Sequence, residues 1–351
     1  MRIGDIVEFD KKRYFGGAVQ ANWFYEEDKA MAIAQSYVFH GPKYHGVEES
    51  EAQDRRYKLY DTASYAKKLI TMVDDPDRNN FCMTIAGYGT GKSHLAVTLA
   101  ALFSGHNTEL RNAALERIAV VDKEIAEDIS RHLDKNLVLV LNGMQNFNLD
   151  HEILSVTRKA LSQHGVDDSV LQELTKQFDK AKHFVASTFE SFHEIYEKAF
   201  AGVAGAEVEA EYIVNSLESN SSVFDAVNEV YKQVNGDYMH WEHGISAGDI
   251  LELLNKKLCV QQKKFKRIII LFDEFGRYIE YAASNPMIAG DSALQQIFEA
   301  VQNADGNILF DGFIQSDLNS YLNRVGKSSS IVRYVGRYEQ SEKYYISSNF
   351  E

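Results

Sequence analysis

Residues 86 to 93 read "AGYGTGKS", a run in which glycines alternate with other residues before Lys-Ser, and an apolar helical pattern follows at once. Gly87, Gly89 and Gly91 let the chain take positive φ and turn several backbone N–H groups inward. A helix beginning near Lys92 aims its partly positive end at the same point. The ligand such a loop suits is a phosphate. Against the spacing G-x-x-x-x-G-K-[ST], Ala86 stands at the first glycine and Gly91 at the second. The candidate cradle is therefore Ala86, Gly87, Tyr88, Gly89, Thr90, Gly91, Lys92, Ser93 and His94. In that pattern the lysine meets the β- and γ-phosphates and the Ser93 hydroxyl ligates Mg²⁺. The preceding run "FCMTIA", residues 81 to 86, reads as a buried strand and supplies the strand–loop–helix context. A dinucleotide fingerprint G-x-G-x-x-G fails, because Lys92 stands where its third glycine belongs.

A cradle binds nucleotide; hydrolysis also needs a carboxylate that holds metal and a base that activates water. "KRIIILFDEFGRYIE", residues 266 to 280, offers both. Its apolar run predicts a strand buried on both faces that delivers Asp273 and Glu274 at its C-terminal end, where open α/β sheets bind ligands. Asp273 is expected to hold Mg²⁺ through water and Glu274 to act as general base. The likeness of "DEFG" to the kinase D-F-G is superficial, since no H-R-D-x-x-x-x-N segment accompanies it.

Positioning these groups requires a sheet, and strands are predicted at about 81–86, 137–142, 267–273 and 307–314. Helices are predicted over Glu26 to Tyr37, across Asp54 to Val73, over Ser93 to Phe103, across Leu110 to Leu133 and over Ser292 to Asn303. The segment 146–265 is far longer than one crossover needs, and its amphipathic stretches predict a helical insertion. The fold class expected is α/β, a three-layer α/β/α sandwich around a mainly parallel sheet. Residues 56–145 and 266–340 form its core, 1–55 an aromatic-rich N-terminal segment, and 341–351 a C-terminal end. Aromatic residues from Tyr14 to Tyr44 are too many to stay exposed, so that segment packs on the main domain or meets a partner. "HGPKYHG", residues 40 to 46, reads as a Pro/Gly turn, with contact to a nucleotide base as the functional alternative.

The whole chain has 351 residues, 45% hydrophobic and 25% charged, enough for a large core plus an elaboration. Charges recur through "MRIGDIVEFDKKRYF" and no run approaches the roughly 18 apolar residues of a membrane span, so a cytoplasmic protein with no membrane contact is expected. Cys82 and Cys259 lack metal-type spacing and read as buried thiols. A formal net charge of −14 argues against a chain that coats nucleic acid over its whole surface. It leaves room for one local basic strip, for which "KKFKR" at 263–267 is the candidate, its alternative being the solvated lead-in to a strand.

"AGYGTGKS", "IIILFDEFG" and the "GFIQ" that ends the following strand resemble the AAA+-like ATPase domain of P-loop NTPases with a catalytic glutamate. "DEFGRYIE", the long helical insert and "RYVGRYE" at 333–339 are similar to large prokaryotic phage-defence ATPases of the bacteriophage-exclusion type. The resemblance covers roughly residues 55–340. It implies a strand inserted between the loop strand and the acidic strand, ending in a polar sensor; Gln315 occupies that place, with Ser316 and Asp317 as rivals. It also implies ATP and Mg²⁺ as ligands and a nucleic-acid or protein partner that is remodelled or switched. Arg333 and Arg337 are the candidate arginines for the γ-phosphate, in the chain's own site or in that of a neighbouring copy of a homo-oligomer. A helical lid normally follows such a sheet, and none is evident before residue 351. A kinase using the same loop is the alternative activity.

Overall fold

The continuous apolar runs fold as four adjacent strands of one sheet. A computed structural model describes residues 18–44, 59–72, 80–171, 178–203, 206–217, 220–239, 246–290, 292–324, 336–338 and 341–346. Its strands are β1 (Leu59–Tyr60), β2 (Phe81–Ile85), β3 (Leu137–Asn142), β4 (Ile268–Asp273), β5 (Ile308–Ile314) and β6 (Glu342–Ile346). All are parallel, in the order β1-β6-β2-β5-β4-β3. Every residue of β2, β3, β4 and β5 is buried, which is why their sequences lack the polar alternation of a half-exposed strand.

Side chains of successive strand residues point to opposite faces, and each face has its own core. One joins Cys82, Val138, Val140, Ile269, Leu271 and Phe313 to α1 (Glu27–Ser36), α2 (Thr62–Met72), α3 (Lys92–Ser104), α4 (Thr108–Val121) and α5 (Lys123–His132). The other joins Met83, Leu139, Ile270, Phe272 and Phe310 to the helices that follow β3 and β4. Between β3 and β4 these are α6 (Leu149–Gln163), α7 (Phe178–Thr188), α8 (His193–Phe200), α9 (Ala210–Ser216), α10 (Ser221–Asn235) and α11 (Ala247–Leu254). After β4 come α12 (Phe275–Ser284), α13 (Pro286–Ala289), α14 (Ala293–Gln302) and α15 (Leu318–Arg324). The class is therefore α/β, with helices on both faces of the sheet as a three-layer arrangement requires.

Three expectations change. The helix expected across 54–73 begins only at Thr62; Leu59 and Tyr60 instead pair with Tyr345 and Ile346 as a short edge strand. The helix expected across 110–133 breaks at Asp122, whose carboxylate accepts the Ile125 N–H and so caps α5. Glu342–Ile346, outside the predicted core, is a strand beside β2. The aromatic segment packs inward: Phe24, Tyr37 and Phe39 are buried, while Tyr14 and Phe15 lie outside the described residues. Tyr25 closes the free edge of β3, its hydroxyl accepting from the Val140 N–H at 2.8 Å and donating to the Val140 carbonyl at 3.3 Å. No helix among the described residues is long and apolar enough to cross a membrane. Cys82 and Cys259 are free and buried.

One polar group sits in the middle of the sheet. Asp311 of β5 is fully buried and accepts from the hydroxyls of Tyr65 and, at 2.9 Å, Thr84. Burial pushes its carboxyl from 3.8 up to about 6, although both hydroxyls pull the other way. A group that binds its proton more tightly in the folded state contributes stability at low pH and loses it as pH rises through the folded value. Between about pH 4 and 6 the Asp311 contribution therefore declines with rising pH, by on the order of 3 kcal/mol in total. Chemical denaturation of parent and Asp311→Asn across that window is expected to show the variant gaining stability relative to the parent as pH rises. A constant difference would mean that Asp311 titrates in the fold as it does unfolded.

Candidate functional site

The C-terminal ends of β2, β5 and β4 lie side by side, so the segments that leave these three strands meet one another. After β2 the chain is held to β5 by the Ala86 N–H on the Ile314 carbonyl at 3.1 Å, and then turns. Gly89 and Gly91 take φ of +76° and +80°. A Cβ at either would meet nothing within 4 Å, so the left-handed backbone, not crowding, requires glycine there. The Thr90 hydroxyl closes the turn on the Gly87 carbonyl at 2.8 Å. α3 starts at Lys92 with no side-chain cap, leaving its first N–H groups turned to the loop without one. The Tyr88 side chain is 90% exposed, so this residue offers the loop only its backbone.

Lys92 is buried, and its ammonium donates to the Gly87 carbonyl at 3.0 Å. Burial pulls it below the ordinary lysine range, against the opposing attraction of Glu274 and Asp273. The Ser93 hydroxyl is close enough to the Asp273 carboxylate to help hold its proton affinity down, which puts the first turn of α3 beside the end of β4. Asp273 is almost fully buried and pushed up to about 6 by burial, against the pull of the Ser93 hydroxyl, with the Glu274 charge adding to the rise and the Lys92 charge opposing it. Its Oδ1 is buried with no hydrogen-bond partner among the described residues. A buried carboxylate oxygen left without a donor, beside a serine hydroxyl, is the donor set a hard divalent cation takes.

Glu274 adopts φ +52° and ψ +38°, a conformation rare for a residue with a Cβ. Gly143, just past β3, makes room for it: a Cβ there would lie 2.4 Å from the Glu274 carbonyl oxygen. The Gly143 N–H also donates to the Asp273 carbonyl at 2.8 Å. Gln315, at the end of β5, spans the gap, its side-chain amide donating to both Glu274 oxygens at 3.1 and 3.0 Å. The Tyr321 hydroxyl accepts the Gln315 backbone N–H at 3.0 Å, and the Tyr321 ring lies where a Cβ on Gly276 would be. Sequence reasoning does not single out Gly143, Gly276 or Tyr321. The signal for the two glycines is their position, directly after a strand and inside the first turn of a helix.

Lys92, Ser93, Asp273, Glu274 and Gln315 thus converge from three separate parts of the chain. Other candidates do not join them. His94 Nε2 donates to the Ile33 carbonyl at 3.0 Å and lies 3.2 Å from the Ser36 hydroxyl, fastening α1 to α3. Asp317 is engaged by Lys343 at 3.1 Å. Arg337 pairs with Glu299 on α14 at 3.1 Å, with its guanidinium 6.0 Å from the Phe298 ring. The adjacent Tyr338 packs on Phe81, the first residue of β2, whereas the glycine loop follows the last. Arg337 is therefore engaged away from the loop of its own chain; Arg333 lies outside the described residues. Beside the loop opens a cavity of about 260 Å³, lined by Tyr37, His40, Thr84, Thr90, His94 and Ile346 among others. His40 is stacked on Tyr44 with ring centroids 3.9 Å apart. His45 and Gly46, also in the candidate base-contacting turn, lie outside the described residues. Compared with protein-family models and with curated proteins, the chain matches none.

Proposed function

We propose that this chain binds ATP with Mg²⁺ at residues 86–93 and hydrolyses it, as a P-loop NTPase with a catalytic glutamate of AAA+-like kind. The observation that supports the reading most is the orphaned Asp273 carboxylate oxygen at the end of β4, beside the start of α3, with Gln315 reaching Glu274 from the strand between. Ser93 and Asp273 are the groups to hold Mg²⁺, directly and through water. When bound, the cation neutralises charge building on the β- and γ-phosphate oxygens. Lys92 adds fixed positive charge to the same phosphates, and the loop N–H groups orient them. Glu274 takes a proton from the attacking water, and Gln315 positions that base. The cavity at Tyr37, His40 and Ile346 adjoins the loop, and to it we assign the ribose and base.

Hydrolysis of this kind drives the remodelling or switching of a nucleic-acid or protein partner. The likeness of "DEFGRYIE" to the phage-exclusion ATPases makes phage defence the setting we propose. ATP turnover by the parent is expected to require Mg²⁺ and to vanish in EDTA. Asp273→Ala should lose the Mg²⁺-dependent part of ATP binding, measured by calorimetry with and without the cation. ATP affinity that Mg²⁺ enhances equally in parent and variant would remove Asp273 from the metal site.

A further inference from the structure

The end of the sheet opposite the phosphate loop gathers lysines from three segments. Lys135 precedes β3 and Lys266 precedes β4; the Lys266 N–H donates to the Lys135 carbonyl at 2.8 Å, which joins the two lead-ins. Lys263 and Lys264 come just before. Lys256 and Lys257 lie on a π-helical turn, Asn255–Gln261, that continues α11. All six are exposed, and among the described residues none is in an ion pair.

The platform beneath them is fixed. Phe265 is buried edge-on to His164, with ring centroids 4.8 Å apart, and Arg267 is buried too, so Lys264 and Lys266 are held outward on either side. Lys263 takes φ +50°, and the Lys264 N–H returns to the Leu258 carbonyl at 2.8 Å. A seven-residue π-helix followed by a left-handed lysine is strained backbone of the kind kept where a surface is used. Asp134 adjoins Lys135 in the chain, and Asp167 feels the charge of Lys264. The chain as a whole carries −14, so this edge inverts the sign of its surroundings. Screening over about 8–10 Å keeps the distant acids from cancelling it.

We infer that this edge docks the phosphate backbone of a nucleic acid. Exposed ammonium groups act as point charges toward phosphates, Lys135 from over the Phe265 ring at 5.7 Å, and the exposed amides of Gln261 and Gln262 beside them add neutral donors. The absence of arginine from the exposed set fits backbone contact rather than the bidentate reading of guanine. β4, six residues at about 3.3 Å each, separates the edge from Asp273 and Glu274 by roughly 20 Å, so a docked strand leaves the phosphate loop open.

The surface stands independently of the nucleotide reading, and the test keeps the two apart. Fluorescence anisotropy with an end-labelled DNA duplex is measured in the absence of ATP for the parent, for Lys92→Ala and for a variant with Lys256, Lys257, Lys263 and Lys264 all changed to glutamine. With about four phosphates neutralised, parent affinity should fall roughly 10²-fold between 50 and 200 mM salt. Lys92→Ala should bind DNA like the parent. The lysine variant should lose at least tenfold at 50 mM salt and show a shallower salt slope, while keeping the parent's circular dichroism spectrum and ATP affinity. Parent-like DNA binding by the lysine variant overturns the proposal, as does competition by polyglutamate as strong as that by unlabelled DNA, which would point to an acidic protein partner. Should the fourfold variant fail to fold, Lys263→Gln with Lys264→Gln is read by the same criteria, with a proportionately smaller loss.

Discussion

Glu274→Gln is expected to hold Mg-ATP as tightly as the parent and to turn it over 10²–10⁴ times more slowly, the usual worth of a positioned general base. The substitution keeps the side chain's size and one oxygen able to accept the Gln315 amide, so little else should change. The backbone that aims residue 274 is fixed independently of its side chain, by the left-handed turn and the bare Cα of Gly143 against its carbonyl. Parent and variant are compared by nucleotide calorimetry and by phosphate release under saturating ATP. A variant that binds normally and releases phosphate at the parent rate would assign water activation to another group. A variant that loses binding as well would place Glu274 in the cradle.

The part of this geometry that a sequence can express is the part encoded locally. β2, β3, β4 and β5 were legible because a strand covered on both faces must be apolar throughout, and "FCMTI", "LVLVLN", "IIILFD" and "ILFDGFI" nearly are. β6, "EKYYI", hides among polar residues because its burial alternates, and β1 is two residues long inside a stretch with helical spacing. The loop glycines, Lys92, Ser93, Asp273 and Glu274 were legible because each motif is contiguous and follows a strand. Gln315 was legible only through the expected strand order, which β5 between β2 and β4 matches. Asp311 and Gly143 were not: one is a carboxylate whose two hydroxyl partners come from α2 and β2, the other a glycine whose crowding neighbour comes from the strand beside it. Their roles exist only once distant segments meet. Arg337 shows the converse, since its lateness in the chain suggested reach, while Glu299 and Phe298 hold it at α14.

Lys92→Ala should weaken Mg-ATP binding by roughly 10²–10⁴-fold while leaving the fold at least as stable as the parent. The ammonium donates to one neutral acceptor, the Gly87 carbonyl at 3.0 Å. Burial already disfavours its charge, so removing the cation relieves a desolvation cost, and alanine suits the first turn of α3. The ligand loses far more. A hydrogen bond to a charged group contributes about 1.5–3 kcal/mol, and contact with both β- and γ-phosphates makes two such bonds. Thermal melts and calorimetry on the same preparations separate the two effects. An unchanged melting temperature with ATP affinity lost assigns Lys92 to the ligand. Affinity kept in a folded Lys92→Ala would mean that the glycine turn at 86–91 serves the fold alone, and the hydrolytic roles proposed for Asp273, Glu274 and Gln315 would lose the phosphate they are arranged around.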